Sequence, residues 1–229
     1  KLFVPRTTTR VKLAAIEESG LPFEQVGDDC VEAEQHARAY ARDNGCILVP
    51  PYNDPEIVAG QGTIAAELAE ELESIDAVLV PVGGGGLISG IAVYRKAVSP
   101  ATRLIGCQPF NSRVMHASIE AGRIVEEQSL PTLADGTSGG IEAGSITFEM
   151  CRRWVDEFVL LSEEEILAAL RLLAEEERLV VEGAAALSVA ALLKGRQRFA
   201  GRRVALIISG SRIDDAVLRR IGRGRERDG

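Results

Sequence analysis

The amino-acid sequence predicts an α/β fold built on a parallel sheet. Short apolar runs alternate with longer stretches of helical period, which is the order expected of strands joined by helices. The run Ala77–Val80 is apolar without interruption, as is typical of a strand buried on both faces. The chain contains no internal repeat and no low-complexity tract. These observations together favour a buried parallel sheet flanked by helices.

The first fifty residues follow a β-α-β-α-β order. Gly20 and Asn44-Gly45 stand where two helices would end, and Asp28 or Asp29 could cap the second helix. The predicted elements are a strand at 2–4, a helix at 9–19, a strand at 23–26, a helix from 28 or 29 to 45, and a strand at 46–49. Pro50-Pro51 interrupts this pattern, so we expect two domains, residues 1–50 and residues 51–229.

The second part of the chain carries clear helix starts. Asp54 is followed by Pro55, a capping side chain and then a proline in the first turn, and this helix should reach about Leu72. Ser162 and Glu165 form a capping box for a helix up to about Arg178. Further strands are expected at 77–80, 104–107, 158–161 and 204–208, and a helix that is apolar on all sides at 182–193.

The composition excludes several classes of protein. The 229 residues include 26 Lys plus Arg and 34 Asp plus Glu, a formal net charge of −8, and no basic stripe, which argues against nucleic acid as a partner. No run approaches the roughly 20 apolar residues that cross a bilayer, and the first residues lack a signal-peptide core. Four widely spaced cysteines and two histidines without ligand spacing predict free thiols in a reducing cytoplasm and no zinc site.

The strongest local signal is a run of four glycines, Gly83–Gly86, between an apolar strand and an apolar-periodic helix. Successive residues without Cβ atoms let several N–H groups turn toward one point, and the helix behind them adds its positive end. This pattern favours a phosphate-binding loop over a flexible turn, because linker glycines usually have polar neighbours. Neither a Walker A lysine nor the dinucleotide G-x-G-x-x-G register is present. A phosphate-bearing cofactor other than ATP or NAD is expected.

A second strand also ends in small residues. Apolar residues 205–208 run into Ser209-Gly210. A serine at the carboxyl end of a strand can offer a neutral hydroxyl to a ring nitrogen. A simple turn or a helix cap is the alternative interpretation.

Several motifs together resemble one family, the fold type II pyridoxal-phosphate enzymes of the serine racemase and threonine dehydratase group. In chain order the motifs are PEIVAGQGT (55–63), PVGGGG (81–86), ADG (134–136), VVEGA (180–184) and SG (209–210). The resemblance spans residues 1 to about 215, and residues 134–149 are most similar to dehydratase-type members. It implies a three-layer sandwich in the style of tryptophan synthase β, with part of a small domain followed by the large cofactor-binding domain.

The resemblance also assigns roles to residues. It implies that Gly83, Gly84, Gly85, Gly86 and Leu87 hold the phosphate of pyridoxal 5′-phosphate. Ser209 would face the pyridine nitrogen, and Gly136 would line the substrate side of the ring. Glu182 matches an acidic residue near the active site of the family, with an ordinary helix-terminal carboxylate as the alternative.

The sequence departs from the family pattern at important positions. The lysine that forms the Schiff base and the Ser-x-Gly-Asn loop belong to a family segment that precedes the position of Leu2. Of the lysines present, Lys12 and Lys96 fall on helices that are surface helices in the family. Some racemases of the family bind a divalent cation through Glu and Asp at the positions of Gln108 and Val114, so no metal site is expected.

The resemblance implies an ammonia-lyase that removes water from threonine, serine or hydroxyaspartate and yields a 2-oxo acid and ammonia. Racemisation at the same Cα is an alternative within the family. A non-catalytic module that binds phosphorylated ligands is an alternative from another class, supported by the missing lysine. By analogy with the family, a homodimer is expected.

Overall fold

The computed structural model describes residues 1–222, and its N-terminal part pairs two strands in parallel. The elements are β1 (Leu2–Val4), α1 (Arg10–Glu18), β2 (Phe23–Gln25) and α2 (Cys30–Asp43). Leu2 lies opposite Phe23 in the register of β1 and β2. Asp29 caps α2, because its side chain accepts a hydrogen bond from the Val31 N–H and the Glu32 side chain completes a capping box. The predicted β-α-β-α order of residues 1–45 is therefore confirmed.

The strand predicted at residues 46–49 is wrong. These residues pair with no strand in the part of the chain that the structure describes. Ile47 is 93% exposed and Val49 is 73% exposed. The apolar run satisfies the composition of a strand, but a strand also needs a neighbour for its N–H and C=O groups, and residues 1–222 place none beside it.

The rest of the described chain forms a four-stranded parallel sheet with helices on both sides. Its elements are α3 (Pro55–Glu71), β3 (Ala77–Pro81), α4 (Gly86–Val98), β4 (Arg103–Pro109), α5 (Val114–Ala121), a 3-10 turn (Asp135–Thr137), α6 (Ile146–Trp154), β5 (Glu157–Leu161), α7 (Glu163–Glu175), α8 (Gly183–Lys194), β6 (Val204–Leu206) and α9 (Asp215–Gly222). The strand order is β5-β4-β3-β6, and every neighbouring pair is parallel.

Side chains of β3 alternate between two separate cores. Leu79 belongs to a core formed with α7, α8 and α9, whereas Val78 and Val80 belong to a core formed with α3, α4, α5 and α6. Because successive residues of a strand point to opposite faces of the sheet, the two cores lie on its two faces. The predicted three-layer architecture is confirmed.

The helix limits agree with the capping signals apart from one end. Asp54 caps α3 through the N–H groups of Glu56 and Ile57, and the Ser162–Glu165 capping box opens α7. α7 ends at Glu175 rather than near Arg178, which takes a φ of 56° and so turns the chain out of the helix. Within residues 1–222 no helix is both long and apolar enough to cross a membrane. The division into domains at residues 50 and 51 stays a prediction.

Candidate active site

The tetraglycine loop connects β3 to α4 at the carboxyl edge of the sheet. Gly85 precedes α4 with a φ of 85°, a left-handed conformation that disfavours residues with a Cβ atom. The other positions leave little or no room for a side chain. A Cβ atom on Gly83 would lie 3.1 Å from Thr137 Cα, and Cβ atoms on Gly84 and Gly86 would meet Tyr52. The four glycines are therefore required by space and conformation, and not by flexibility.

The carbonyl groups of this loop are held by three different donors. Gln108 Nε2 donates to the Val82 carbonyl at 3.2 Å, and Thr147 Oγ1 donates to the Gly84 carbonyl at 2.6 Å. The Ser89 N–H donates to the Gly85 carbonyl at 3.0 Å as the first bond of α4. Every peptide bond of the described chain is trans, so the N–H of each peptide points away from its carbonyl. The N–H groups of Gly83, Gly85 and Gly86 belong to the same peptides as these three carbonyls. They therefore point away from the groups that donate to the carbonyls.

The loop amides are free to bind an anion. Within residues 1–222, the N–H groups of Gly83, Gly84, Gly85, Gly86 and Leu87 donate to no protein acceptor. They lie at the N-terminus of α4, where the helix dipole favours negative charge. A phosphate dianion needs several donors at close range, and this loop presents them while the carbonyls of Val82, Gly84 and Gly85 are bound elsewhere. The residues present fit the phosphate of pyridoxal phosphate.

Gln108, singled out from the sequence only as the position of a metal ligand in some racemases, supports the loop through hydrogen bonds. It is 1% exposed, and besides donating to Val82 its Oε1 accepts the His116 N–H at 2.9 Å. A carboxylate at this position could not donate to the carbonyl, whereas an amide can. Among the described residues, no group of three or more His, Cys, Asp and Glu side chains is placed to hold a metal ion.

Glu182 does not cap its own helix. It is the residue before α8, yet its side chain accepts no capping hydrogen bond from that helix. Its Oε1 would lie 3.0 Å from a Cβ atom on Gly136, and its side chain packs against Gly210. The pKa of the Glu182 carboxyl is raised, chiefly by burial. The Lys12 ammonium opposes this rise, and the Asp135 carboxylate adds to it. These contacts place Glu182 beside Gly136 and Gly210, and its role at the site stays a prediction.

A cavity of about 860 Å³ adjoins the loop. It is lined by Gly83, Gly84, residues 136–140 and residues 46–53, among others. Of the residues that the resemblance singled out, Gly83, Gly84 and Gly136 line this cavity, whereas Gly85, Gly86, Leu87, Glu182 and Ser209 do not. Ser209 is exposed and follows β6, where the Ile207 N–H donates to the Leu79 carbonyl at 3.0 Å. Ser209 and the loop thus leave neighbouring strands at the same edge of the sheet.

Tyr52 connects the loop to α2. Its ring packs on Gly84, its hydroxyl donates to Glu34 Oε2 at 2.9 Å, and the same hydroxyl accepts the Glu142 N–H at 2.8 Å. Burial raises the pKa of the Glu34 carboxyl to about 7, although the hydrogen bond from Tyr52 lowers it. Arg38 binds the Glu142 carboxylate with two hydrogen bonds of 2.7 and 2.8 Å. Nothing in the local sequence pattern distinguishes these residues, because the contacts join distant parts of the chain.

All four lysines bind carboxylates. The ion pairs are Lys1–Glu24 at 2.6 Å, Lys12–Asp135 at 2.9 Å, Lys96–Asp156 at 2.8 Å and Lys194–Glu165 at 3.0 Å. The helix α1, which carries Lys12, has no buried residue, as expected of a surface helix, although the Lys12 side chain itself is partly buried and its Nζ would lie 3.5 Å from a Cβ atom on Gly136.

Comparison with known proteins agrees with this geometry. An L-threonine ammonia-lyase of Thermotoga maritima is 40% identical over 220 residues, which are 96% of this chain and 54% of that relative. The catabolic L-threonine dehydratase of Escherichia coli is 40% identical over 216 residues, which are 93% of this chain and 65% of that relative. The chain thus spans between 54% and 65% of the length of these relatives.

The fold also matches solved structures. The processed form of threonine deaminase isoform 2 from Solanum lycopersicum is 31% identical with a TM-score of 0.85, and the match covers 96% of this chain and 61% of that chain. A family model described as pyridoxal-phosphate dependent enzyme matches residues 1–210. The resemblance predicted from the motifs is confirmed, and with it the pyridoxal-phosphate cofactor. By fold and by sequence, the chain belongs to the pyridoxal-phosphate-dependent enzyme family.

Proposed function

We propose that the protein is an ammonia-lyase that removes water from a small β-hydroxy amino acid such as threonine, serine or hydroxyaspartate, releasing a 2-oxo acid and ammonia. One observation carries the proposal: within residues 1–222, the protein binds the carbonyls of Val82, Gly84 and Gly85, while the amides of the tetraglycine loop donate to no protein acceptor. Two relatives at 40% identity bear names of threonine lyases, which supports elimination over the alternative of racemisation.

The proposed roles follow from position. The amides of Gly83–Gly86 and Leu87 hold the phosphate group, and Gly136 borders the substrate because it lines the adjoining cavity. Ser209 offers its neutral hydroxyl to the ring nitrogen from the neighbouring strand. Pyridoxal phosphate, when bound, supplies the electron-withdrawing ring that makes the substrate Cα proton acidic. Glu182, held behind Gly136, places a carboxylate at the edge of that site.

The non-catalytic binding module remains the second candidate, and the observation that favours it is the ion pairing of all four lysines. The test uses the purified full-length protein with pyridoxal phosphate. Borohydride reduction followed by mass spectrometry should find the cofactor attached to a lysine, and L-threonine should yield 2-oxobutanoate. Phosphate-ester binding without a lysine adduct and without product would contradict the ammonia-lyase and support the binding module.

We further propose a cytoplasmic location and a homodimer. The location is supported by four free cysteines, of which Cys151 is buried with its pKa raised to about 12 by burial, as befits an inert thiol. The homodimer rests on analogy with the family, and light scattering of the purified full-length protein tests it. The net charge of −8 agrees with a small-molecule substrate and with no role in nucleic-acid binding.

A further inference from the structure

Lys12 joins the N-terminal part of the chain to the edge of the site. It lies on α1, and its Nζ donates to Asp135 Oδ2 at 2.9 Å. The two residues are 123 positions apart in sequence, and both side chains are partly buried. Asp135 is the first residue of the 3-10 turn that ends at Thr137. The ammonium of Lys12 therefore holds the start of this turn.

The turn contacts both ends of the proposed cofactor site. The main chain of Thr137 packs against Gly83, the first glycine of the phosphate loop. Gly136 packs against Glu182, whose side chain in turn lies against Gly210, the residue after Ser209. The main chains also meet there, since the Glu182 N–H donates to the Gly210 carbonyl at 3.1 Å. A displacement of the turn would therefore move both the phosphate loop and residues 209–210.

Lys12 also separates two negative charges. A Cβ atom on Gly136 would lie 3.0 Å from Glu182 Oε1 and 3.5 Å from Lys12 Nζ, so this ammonium lies beside both Asp135 and Glu182. Without it, two partly buried carboxylates would face each other across Gly136. Like charges at short range repel, and this repulsion would push the turn away from α8.

We propose that Lys12 is a positioning residue, which holds the Asp135–Thr137 turn against the phosphate loop and Glu182 and so keeps the cofactor site assembled. As a positioning role in cofactor binding it rests on the proposed function, but the contacts that it maintains exist in the protein alone. The charge of Lys12, and not only its length, is the property that matters, because its neighbours are carboxylates.

The test compares variants of the full-length protein. Lys12→Met removes the charge at similar length, Lys12→Arg keeps it, and Lys96→Met removes an equivalent ion pair with Asp156 far from the site. Hydrogen exchange is measured without cofactor on peptides covering 82–86 and 133–140, and pyridoxal phosphate is then titrated by fluorescence. Losing one partly exposed ion pair should raise exchange and weaken cofactor binding about fivefold in Lys12→Met. Lys12→Arg should recover most of both, and Lys96→Met should match the wild type.

Each outcome decides the proposal. Wild-type exchange in Lys12→Met overturns it, and so does a Lys12→Arg protein that exchanges as fast as Lys12→Met. Should Lys12→Met fail to fold, Asp135→Ala takes its place, because it removes the acceptor of Lys12: a rise in exchange at 82–86 is expected, and unchanged exchange there overturns the proposal. A wild-type protein that binds no pyridoxal phosphate would contradict the proposed function alone, because the exchange data still decide the role of Lys12.

Discussion

Gln108→Glu is the substitution that tests the phosphate loop most directly. It changes one NH₂ group into an oxygen, so the His116 N–H keeps its acceptor while the Val82 carbonyl loses its donor. A carbonyl left unsatisfied in the core costs about 1–3 kcal/mol. The new carboxylate would be 1% exposed and would face a carbonyl oxygen, which raises its pKa. Each unit of that rise costs about 1.4 kcal/mol at high pH. We expect a total loss of about 3–5 kcal/mol in the free energy of unfolding at pH 8.

The pH dependence of this loss follows from the sign of the shift. The carboxyl has a higher pKa in the folded variant than in the unfolded chain, so the penalty is absent at low pH and grows as the pH rises through the folded pKa. At pH 5 the protonated acid can donate to Val82 as the amide does, and most of the loss should disappear. Urea unfolding at pH 5 and pH 8 measures this, with exposed Gln35→Glu as the control, expected within about 0.5 kcal/mol of wild type. An equal loss at both pH values, or none at pH 8, refutes the assigned hydrogen bond.

Three further predictions concern neighbouring groups. Gly84→Ala places a Cβ atom against the ring of Tyr52 and should weaken pyridoxal-phosphate binding about tenfold or more in a fluorescence titration. The control Gly60→Ala has open space around the new Cβ atom and should bind as the wild type does. Burial raises the pKa of the Glu34 carboxyl to about 7, so the free energy of unfolding falls as pH rises from about 4.5 to 7 and this carboxyl ionises. Glu34→Gln should remove this loss, which is of order 1 kcal/mol after allowance for partial exposure, in urea unfolding between pH 5 and pH 8. Glu182→Gln should lower the turnover of L-threonine at least about tenfold while thermal unfolding stays within about 2 °C, because its side chain caps no helix; an unchanged turnover would contradict its place at the site.

Local chemistry explains why so much of the fold is predictable. Asp29, Asp54 and Ser162 mark helix starts in the sequence because a cap depends on residues within one turn of it. The tetraglycine loop is recognisable for a similar reason, since four residues without side chains between two apolar elements have few structural explanations. The parallel sheet follows from continuous apolar runs.

Contacts between distant residues are not predictable in this way. Gln108 lies 26 positions from Val82, and Thr147 lies 63 positions from Gly84, so no local pattern reveals that they orient the loop. The strand predicted at 46–49 is wrong for a related reason. Its composition suits a strand, but strand pairing depends on a neighbour elsewhere in the chain. The contact between Lys12 and Asp135 is unpredictable for the same reason, because the two residues lie 123 positions apart.

The strand order has a consequence for how the protein opens. Within residues 1–222, the phosphate loop follows β3 and Gln108 lies in β4, the two inner strands of the four-stranded sheet, whereas Ser209 follows β6, an outer strand of three residues that are all partly exposed. Inner strands usually exchange their amides only on global unfolding, while edges fray more readily. On the roles proposed for Ser209 and for the phosphate loop, we expect the bound cofactor to release its aromatic ring before its phosphate group. A cofactor analogue without the phosphate would then be bound only by the segment around Ser209, which opens first.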